Sequence, residues 1–274
     1  MNVLFINGYI PTEQSNDIYS NTKGEYQFAA NQLQEKLILG LRKYLKKNFF
    51  ILSAPFINPF PNGYKKINYN GLNVSENEKY VKFFNLWGFR NISRKNNLIA
   101  SCKDFLNKQD DKKYVIVYSP HVPFLQAAYY LKRHDNNIKI ILLLPDLPQF
   151  VSLGKNKSII YKTLKKYDIK NFYKYSSKFD AYILLTDFMN EFVNKDYKKK
   201  YMIMEGICDS TYISNSNFKL ESKEKVKKIT YTGTLHEKFG IKFLIDAFTK
   251  IDNKNYRLNI CGVGDSVNYV KEKT

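Results

Sequence analysis

Short apolar runs alternate with helix-spaced stretches along most of this chain, and no other feature of the sequence restricts the fold so far. Asn2-Val-Leu-Phe-Ile6 is a continuous apolar run closed by Asn7-Gly8, as expected of a strand covered on both faces in a parallel sheet. From Glu25 to Lys47 the residues Phe28, Leu33, Leu37, Leu41 and Leu45 keep helical spacing, and Phe49-Phe-Ile-Leu52 follows as a second strand. Pro55 to Asn77 is turn-rich. The alternation resumes with a helix near Asn97 to Asn107, a strand Tyr114 to Tyr118 and a helix Leu125 to Arg133. Ile138 to Leu144, the strongest strand signal, ends at Pro145-Asp-Leu-Pro148. A Lys-rich helix Ser158 to Ser177, a strand Ala181 to Leu185, a short helix from Asp187 and a strand Tyr201 to Met204 complete the series. Strand and helix in turn predict an α/β fold with a right-handed, mostly parallel, doubly wound sheet over residues 1–205.

Residues 206–228 are polar, of mixed charge and without apolar periodicity, and read as a linker. The pattern then restarts over 229–274, with a strand Ile229 to Thr232, a loop Gly233 to Gly240, a helix Ile241 to Ile251 and a strand Tyr256 to Cys261 ending at Gly262-Val-Gly-Asp265. One βαβ unit cannot bury its own sheet, so this second domain is expected to be partial.

Composition narrows the function classes. The 274 residues suffice for one large or two small domains, and 44% hydrophobic with 16% aromatic residues excludes a disordered chain. Three Cys without a close pair exclude a disulfide framework and a Cys-rich zinc module, and His121, His134 and His236 lack metal-site spacing. Met1 to Ile6 is too short and uncharged for a signal peptide, and no apolar run approaches the ~20 residues of a membrane span, so a cytoplasmic chain is expected. The net charge of +19 comes from Lys spread everywhere, alongside abundant Asn. It carries no nucleic-acid-binding module, so no nucleic-acid partner is expected.

In open α/β sheets ligands bind beyond the carboxyl ends of the strands, which directs attention to the loops there. Gly8 ends the first strand; Gly24 precedes the first helix, whose free N–H groups suit a phosphate, or else merely ends a loop. His121, in Ser119-Pro-His-Val-Pro123, and Asp146 follow neighbouring strands and can face one crevice, to orient an acceptor hydroxyl or take its proton. A loop histidine and a turn-capping aspartate are the competing readings. Gly262-Val-Gly264 lacks the third glycine of a dinucleotide fingerprint, since Val267 stands there. The chain has no Asp-x-Asp triplet, no Gly-x-Ser-x-Gly elbow and no Walker lysine.

Lys23-Gly-Glu-Tyr-Gln-Phe-Ala-Ala-Asn31, Leu144-Pro-Asp-Leu-Pro148, Leu185-Thr-Asp-Phe-Met189, Met204-Glu-Gly-Ile207, Ile229-Thr-Tyr-Thr-Gly-Thr-Leu235, Phe239-Gly-Ile241, Asp246-Ala-Phe248 and Ile260-Cys-Gly-Val-Gly264 occur in a specific order. In that order the chain resembles the family-four retaining glycosyltransferases of the GT-B fold, of the bacterial capsular and exopolysaccharide type. The resemblance implies two Rossmann-like domains, the first for the acceptor and the second for a nucleotide-sugar donor, with no cofactor and no catalytic metal. It implies that Gly24 lies near the donor diphosphate, that Gly233, Thr234, Lys238, Gly262 and Gly264 line the donor side, and that Gly8, Lys23, Gln27 and Asn31 serve the acceptor. His121 and Asp146 are the candidate catalytic pair. Many relatives carry Arg and Lys where Thr234 and Phe239 stand, and Lys238 is one position early. The family's Glu-x7-Glu segment has no counterpart before Thr274. A truncated product, an incomplete sequence and a split enzyme completed by a separate chain all remain open, and the short chain is expected to turn over nucleotide-sugar poorly.

The Lys-rich helix sets Ile159, Ile160, Leu164 and Phe172 among Lys157, Lys162, Lys165, Lys166 and Lys170. Acceptors in the family are often lipid-linked, so this helix is expected to meet the anionic inner face of the cell membrane, against the alternative of a solvated Lys face. A non-catalytic sugar- or membrane-binding protein derived from the acceptor domain is the alternative function.

Overall fold

A computed structural model describes residues 1–23, 27–110, 112–150, 159–208, 226–251 and 255–273. The chain divides into two units, Met1–Asp209 and Ser210–Thr274.

The first unit contains strands β1 (Asn2–Asn7), β2 (Phe49–Ser53), β3 (Asn68–Tyr69), β4 (Leu72–Ser75), β5 (Glu78–Tyr80), β6 (Phe83–Phe84), β7 (Lys113–Tyr118), β8 (Ile138–Leu144), β9 (Ala181–Leu184) and β10 (Lys200–Ile203). Its helices are α1 (Thr12–Ser20), α2 (Phe28–Leu45), α3 (Arg90–Leu106), α4 (Val122–His134), α5 (Ile159–Ser176) and α6 (Asn190–Val193). Eight strands form one sheet in the order β10-β9-β8-β7-β1-β2-β5-β4, parallel except where β4 runs against β5. All six residues of β1 and all five of β2 are buried, which is why these strands read as unbroken apolar runs rather than as alternations. Leu33, Leu37, Leu41 and Leu45 of α2 pack on the core, whereas Phe28 at its start is exposed and leans on Tyr19 at 5.5 Å between ring centroids.

Four sequence expectations change: the helix expected after Gly24 is preceded by α1, whose single buried residue, Ile18, leaves no apolar stripe to read. The turn-rich stretch 55–77 holds β3 and β4, and β3 pairs antiparallel with β6, where Tyr69 and Phe83 lie 5.1 Å apart. Strands this short and polar leave no periodic signal. The third helix starts at Arg90 rather than Asn97, because its buried stripe runs Arg94, Leu98, Cys102, Phe105, and an arginine occupies an apolar position. In α5, Phe172 is buried but Ile159 is 82% and Leu164 is 47% exposed, so the expected apolar residues do not form one covered face.

In the second unit β11 (Lys227–Thr232) and β12 (Tyr256–Cys261) pair in parallel, with helices over Ile241–Phe248 and Val267–Lys273. Its core is small: Leu235, Ile241, Ile245 and Val270.

Candidate functional site

The winding of the sheet reverses at β1, which has β2 on one side and β7 on the other. Open α/β sheets bind ligands at such a switch point, beyond the carboxyl ends of the strands. The loops after β1 and β7 flank it here. Gly8 leaves β1 with its N–H donated to Gln34 Oε1 at 2.9 Å and its carbonyl accepting from Phe56 N–H at 2.9 Å. A Cβ on Gly8 would lie 2.4 Å from the Phe56 ring, so only glycine fits. Asn31 Oδ1 accepts from Ile10 N–H at 2.8 Å, and α2 thus clamps the loop after β1 with two side chains three residues apart. In this setting Asn31 is engaged with backbone. Gln27 caps α2 without a side-chain bond and is exposed, as is Lys23; Gly24 lies outside the described residues.

His121 caps α4 after β7. Its half-buried ring meets Phe124 edge-on at 4.7 Å and Phe56 at 5.8 Å, and Arg94 Nη1 lies 3.5 Å from Nε2. Burial first, and the Arg94 and Arg90 guanidiniums second, hold its pKa well below the usual imidazole range. Two residues earlier Ser119 sits at φ 85°, a left-handed conformation that costs a serine about 1–3 kcal/mol. Asp146 follows β8, which pairs in parallel with β7, so both candidate catalytic residues emerge from the same edge of the sheet. Asp146 is exposed, and desolvation of its carboxyl by the surrounding protein raises its pKa.

Sequence reasoning missed the residues that shape this edge. Phe56 bridges the two loops, stacked on Phe124 at 5.5 Å and against Gly8. Its loop is held by three donors: Arg94 Nη2 to Pro55 O at 2.6 Å, Arg90 Nη1 to Ile57 O at 3.3 Å, and Asn85 Nδ2 to Asn58 O at 2.8 Å. Arg94 is 1% exposed, lies 4.2 Å from the Phe83 ring centre, and has no carboxylate partner among the described residues. An arginine inside an otherwise apolar stripe was the signal that could have found it.

In the second unit the loops at Gly233 and Gly262 pack backbone to backbone. Gly233 N–H donates to Cys261 O and Leu235 N–H to Val263 O, at 3.0 and 2.8 Å. A Cβ would lie 1.9 Å from Gly233 O at position 262 and 2.3 Å from Leu235 O at position 264. These glycines therefore answer a need for close loop packing, whatever ligand they also face. The Thr234 carbonyl accepts from the Tyr231 hydroxyl, and Lys238 is exposed with Nζ over the Phe239 ring at 4.5 Å. His236, which sequence reasoning left aside, ties the two loops: Nδ1 accepts from Lys238 N–H at 3.0 Å and Nε2 faces Asp265 at 3.2 Å.

Along α5, Lys162, Lys166 and Lys170 are exposed and Lys165 is half-buried; Lys157 lies outside the described residues. No helix among the described residues is long and apolar enough to cross a membrane.

No protein-family model and no curated protein matches the sequence. Among solved structures, the chain is similar to OtsA in its apo form, with a TM-score of 0.51 at 12% identity over 100% of this chain and 68% of that one. A trehalose-6-phosphate synthase studied for glycosyltransfer with retention gives a TM-score of 0.54 at 10% identity, over 100% and 67% of the two chains. A trehalose-6-phosphate structure from E. coli bound with UDP-2-fluoro glucose gives 0.50 at 12%, over 99% and 68%. Identities this low speak to fold alone. The chain has the α/β architecture of the GT-B glycosyltransferases, built on a large parallel sheet.

Proposed function

We propose that the protein is a glycosyltransferase that moves a sugar, with retention and without a catalytic metal, from a nucleotide-sugar to a polysaccharide or lipid-linked glycan. The observation that carries this reading is the switch point of a GT-B-like sheet, where the loops that bear Gly8, His121 and Asp146 share the carboxyl edge. Two structures of the same fold support it, one by its glycosyltransfer with retention and one by its bound UDP-sugar. In this reading the acceptor lies against the loops after β1, β7 and β8, and the Gly233, Thr234, Lys238, Gly262 and Gly264 segment serves the donor. Calorimetry and product analysis with uridine, guanosine and adenosine diphosphate sugars test it. His121→Ala and Asp146→Asn are each expected to lower kcat/KM about 10²-fold, with little change in thermal unfolding for the exposed Asp146. No nucleotide-sugar bound and no transfer to any glycan would end the reading.

The lipid-linked form of the proposal places the protein at the cytoplasmic face of the membrane through α5. Each basic residue near an anionic surface contributes roughly 1 kcal/mol, so sedimentation with phosphatidylserine vesicles should fall steeply with salt. A folded Lys162→Glu, Lys166→Glu, Lys170→Glu variant that still sediments with the vesicles would remove this part.

A further inference from the structure

We infer that Arg94 is a positioning residue of this sheet edge: it fixes His121 as the neutral tautomer with the proton on Nδ1, so that the imidazole donates a hydrogen bond to a ligand oxygen and does not act as a base. Arginine has N–H donors and no acceptor, so the ring nitrogen 3.5 Å from Arg94 Nη1, Nε2, is the accepting one. A neutral ring then carries its one proton on Nδ1. Protonating Nε2 as well would set a second cation against a guanidinium that is already buried without a carboxylate among the described residues.

Among the described residues the charged groups that face the ring are Arg94 and Arg90, both from α3, while Phe56 and Phe124 pack on it from the loop after β2 and from α4. Asp168 and Tyr161 of α5 act on Arg90. The downward push on the imidazole pKa by burial and both guanidiniums agrees with this geometry. Nδ1 has no hydrogen-bond partner in the chain among the described residues, and it is not one of the enclosed unpartnered atoms, which are Arg94 Nε and Asn85 Oδ1. Among the described residues it is an unused donor. Only the identity of the oxygen it serves, on a nucleotide-sugar or its acceptor, rests on the function proposed above.

Nitrogen-15 NMR of histidine-labelled protein reads the tautomer directly, and the chain supplies its own references. His134 Nδ1 lies 2.8 Å from Tyr130 O, which only accepts, so this ring carries its proton on Nδ1. His236 Nδ1 accepts from Lys238 N–H, so this ring carries its proton on Nε2. His121, assigned by its loss in His121→Gln, is expected to match His134 and to stay neutral as the pH falls through its ordinary value of 6.5. In Arg94→Met its pKa should move upward, with burial and Arg90 still holding it below the ordinary value, and Arg94→Lys should restore part of the depression. A native His121 protonated on Nε2, or charged at pH 6, overturns the inference even if the Arg94 variants fail to fold. So does a folded Arg94→Met chain with an unchanged His121. Addition of UDP-glucose should shift the Nδ1 resonance; a correct tautomer with no shift by any nucleotide-sugar or glycan would count against the proposed function and leave the tautomer in place.

Discussion

A Gly8→Ala chain is expected to lose about 1–3 kcal/mol of stability, a large effect for one methyl group added near a loop. The new Cβ would stand 2.4 Å from the Phe56 ring, with two further ring atoms at 2.5 Å, so the whole ring must move rather than a flexible tip. Phe56 has no easy retreat: it is stacked on Phe124, it touches the His121 ring, and the loop that carries it is held through the carbonyls of Pro55, Ile57 and Asn58. The cost should therefore couple to the size of residue 56. In a double-mutant cycle, Gly8→Ala with Phe56→Leu should be less destabilised than the two single changes added together. Urea unfolding of the four chains gives the answer. Additive effects, or a Gly8→Ala cost below about 0.5 kcal/mol, would mean that the close approach of these two loops is unimportant.

Gln34→Leu is expected to destabilise the protein by about 1–3 kcal/mol although it replaces a fully buried amide with a shorter, wholly apolar side chain. Burial of apolar area alone predicts a gain. Hydrogen-bond accounting predicts a loss, because Gln34 Oε1 is the acceptor for the Gly8 N–H, which is itself buried and would be left without a partner. The local fall should exceed the global one: amide exchange at Gly8, Tyr9 and Ile10 should accelerate more than in the core of β8. Unchanged or increased stability in denaturant would show that the α2 clamp on this loop has no energetic role.

The central strands were legible because burial on both faces leaves an unmistakable mark: β1, β2 and β8 consist almost wholly of apolar residues, and their lengths match the runs in the sequence. The rule that ligands gather beyond such strands then directed attention to Gly8, His121 and Asp146, which do emerge from one sheet edge. What supports them was hidden for physical reasons. Gln34 and Arg94 lie on buried helix faces where a polar residue breaks the periodicity that reveals the helix. Phe56 and Asn85 lie in a region of two- to four-residue strands, too short to show any period. The Gly262 and Gly264 positions were visible as a turn, yet their requirement for glycine comes from the carbonyls of Gly233 and Leu235, a contact between segments about 30 residues apart.

The strand order carries a consequence for synthesis on the ribosome. β1 is made first, but one of its two neighbours in the finished sheet, β7, begins only at Lys113, about a hundred residues after β1 ends at Asn7. At ~5–20 residues per second the nascent β1 spends roughly 5–20 s with one edge waiting, paired at best with β2. The strand concerned is Asn2-Val-Leu-Phe-Ile-Asn7, buried along its whole length in the native state and therefore adhesive until covered. Chaperone demand and inclusion-body formation should thus depend on how quickly residues 113–118 are delivered, and slowing translation between α3 and β7 should lower soluble yield without altering the stability of the molecules that do fold.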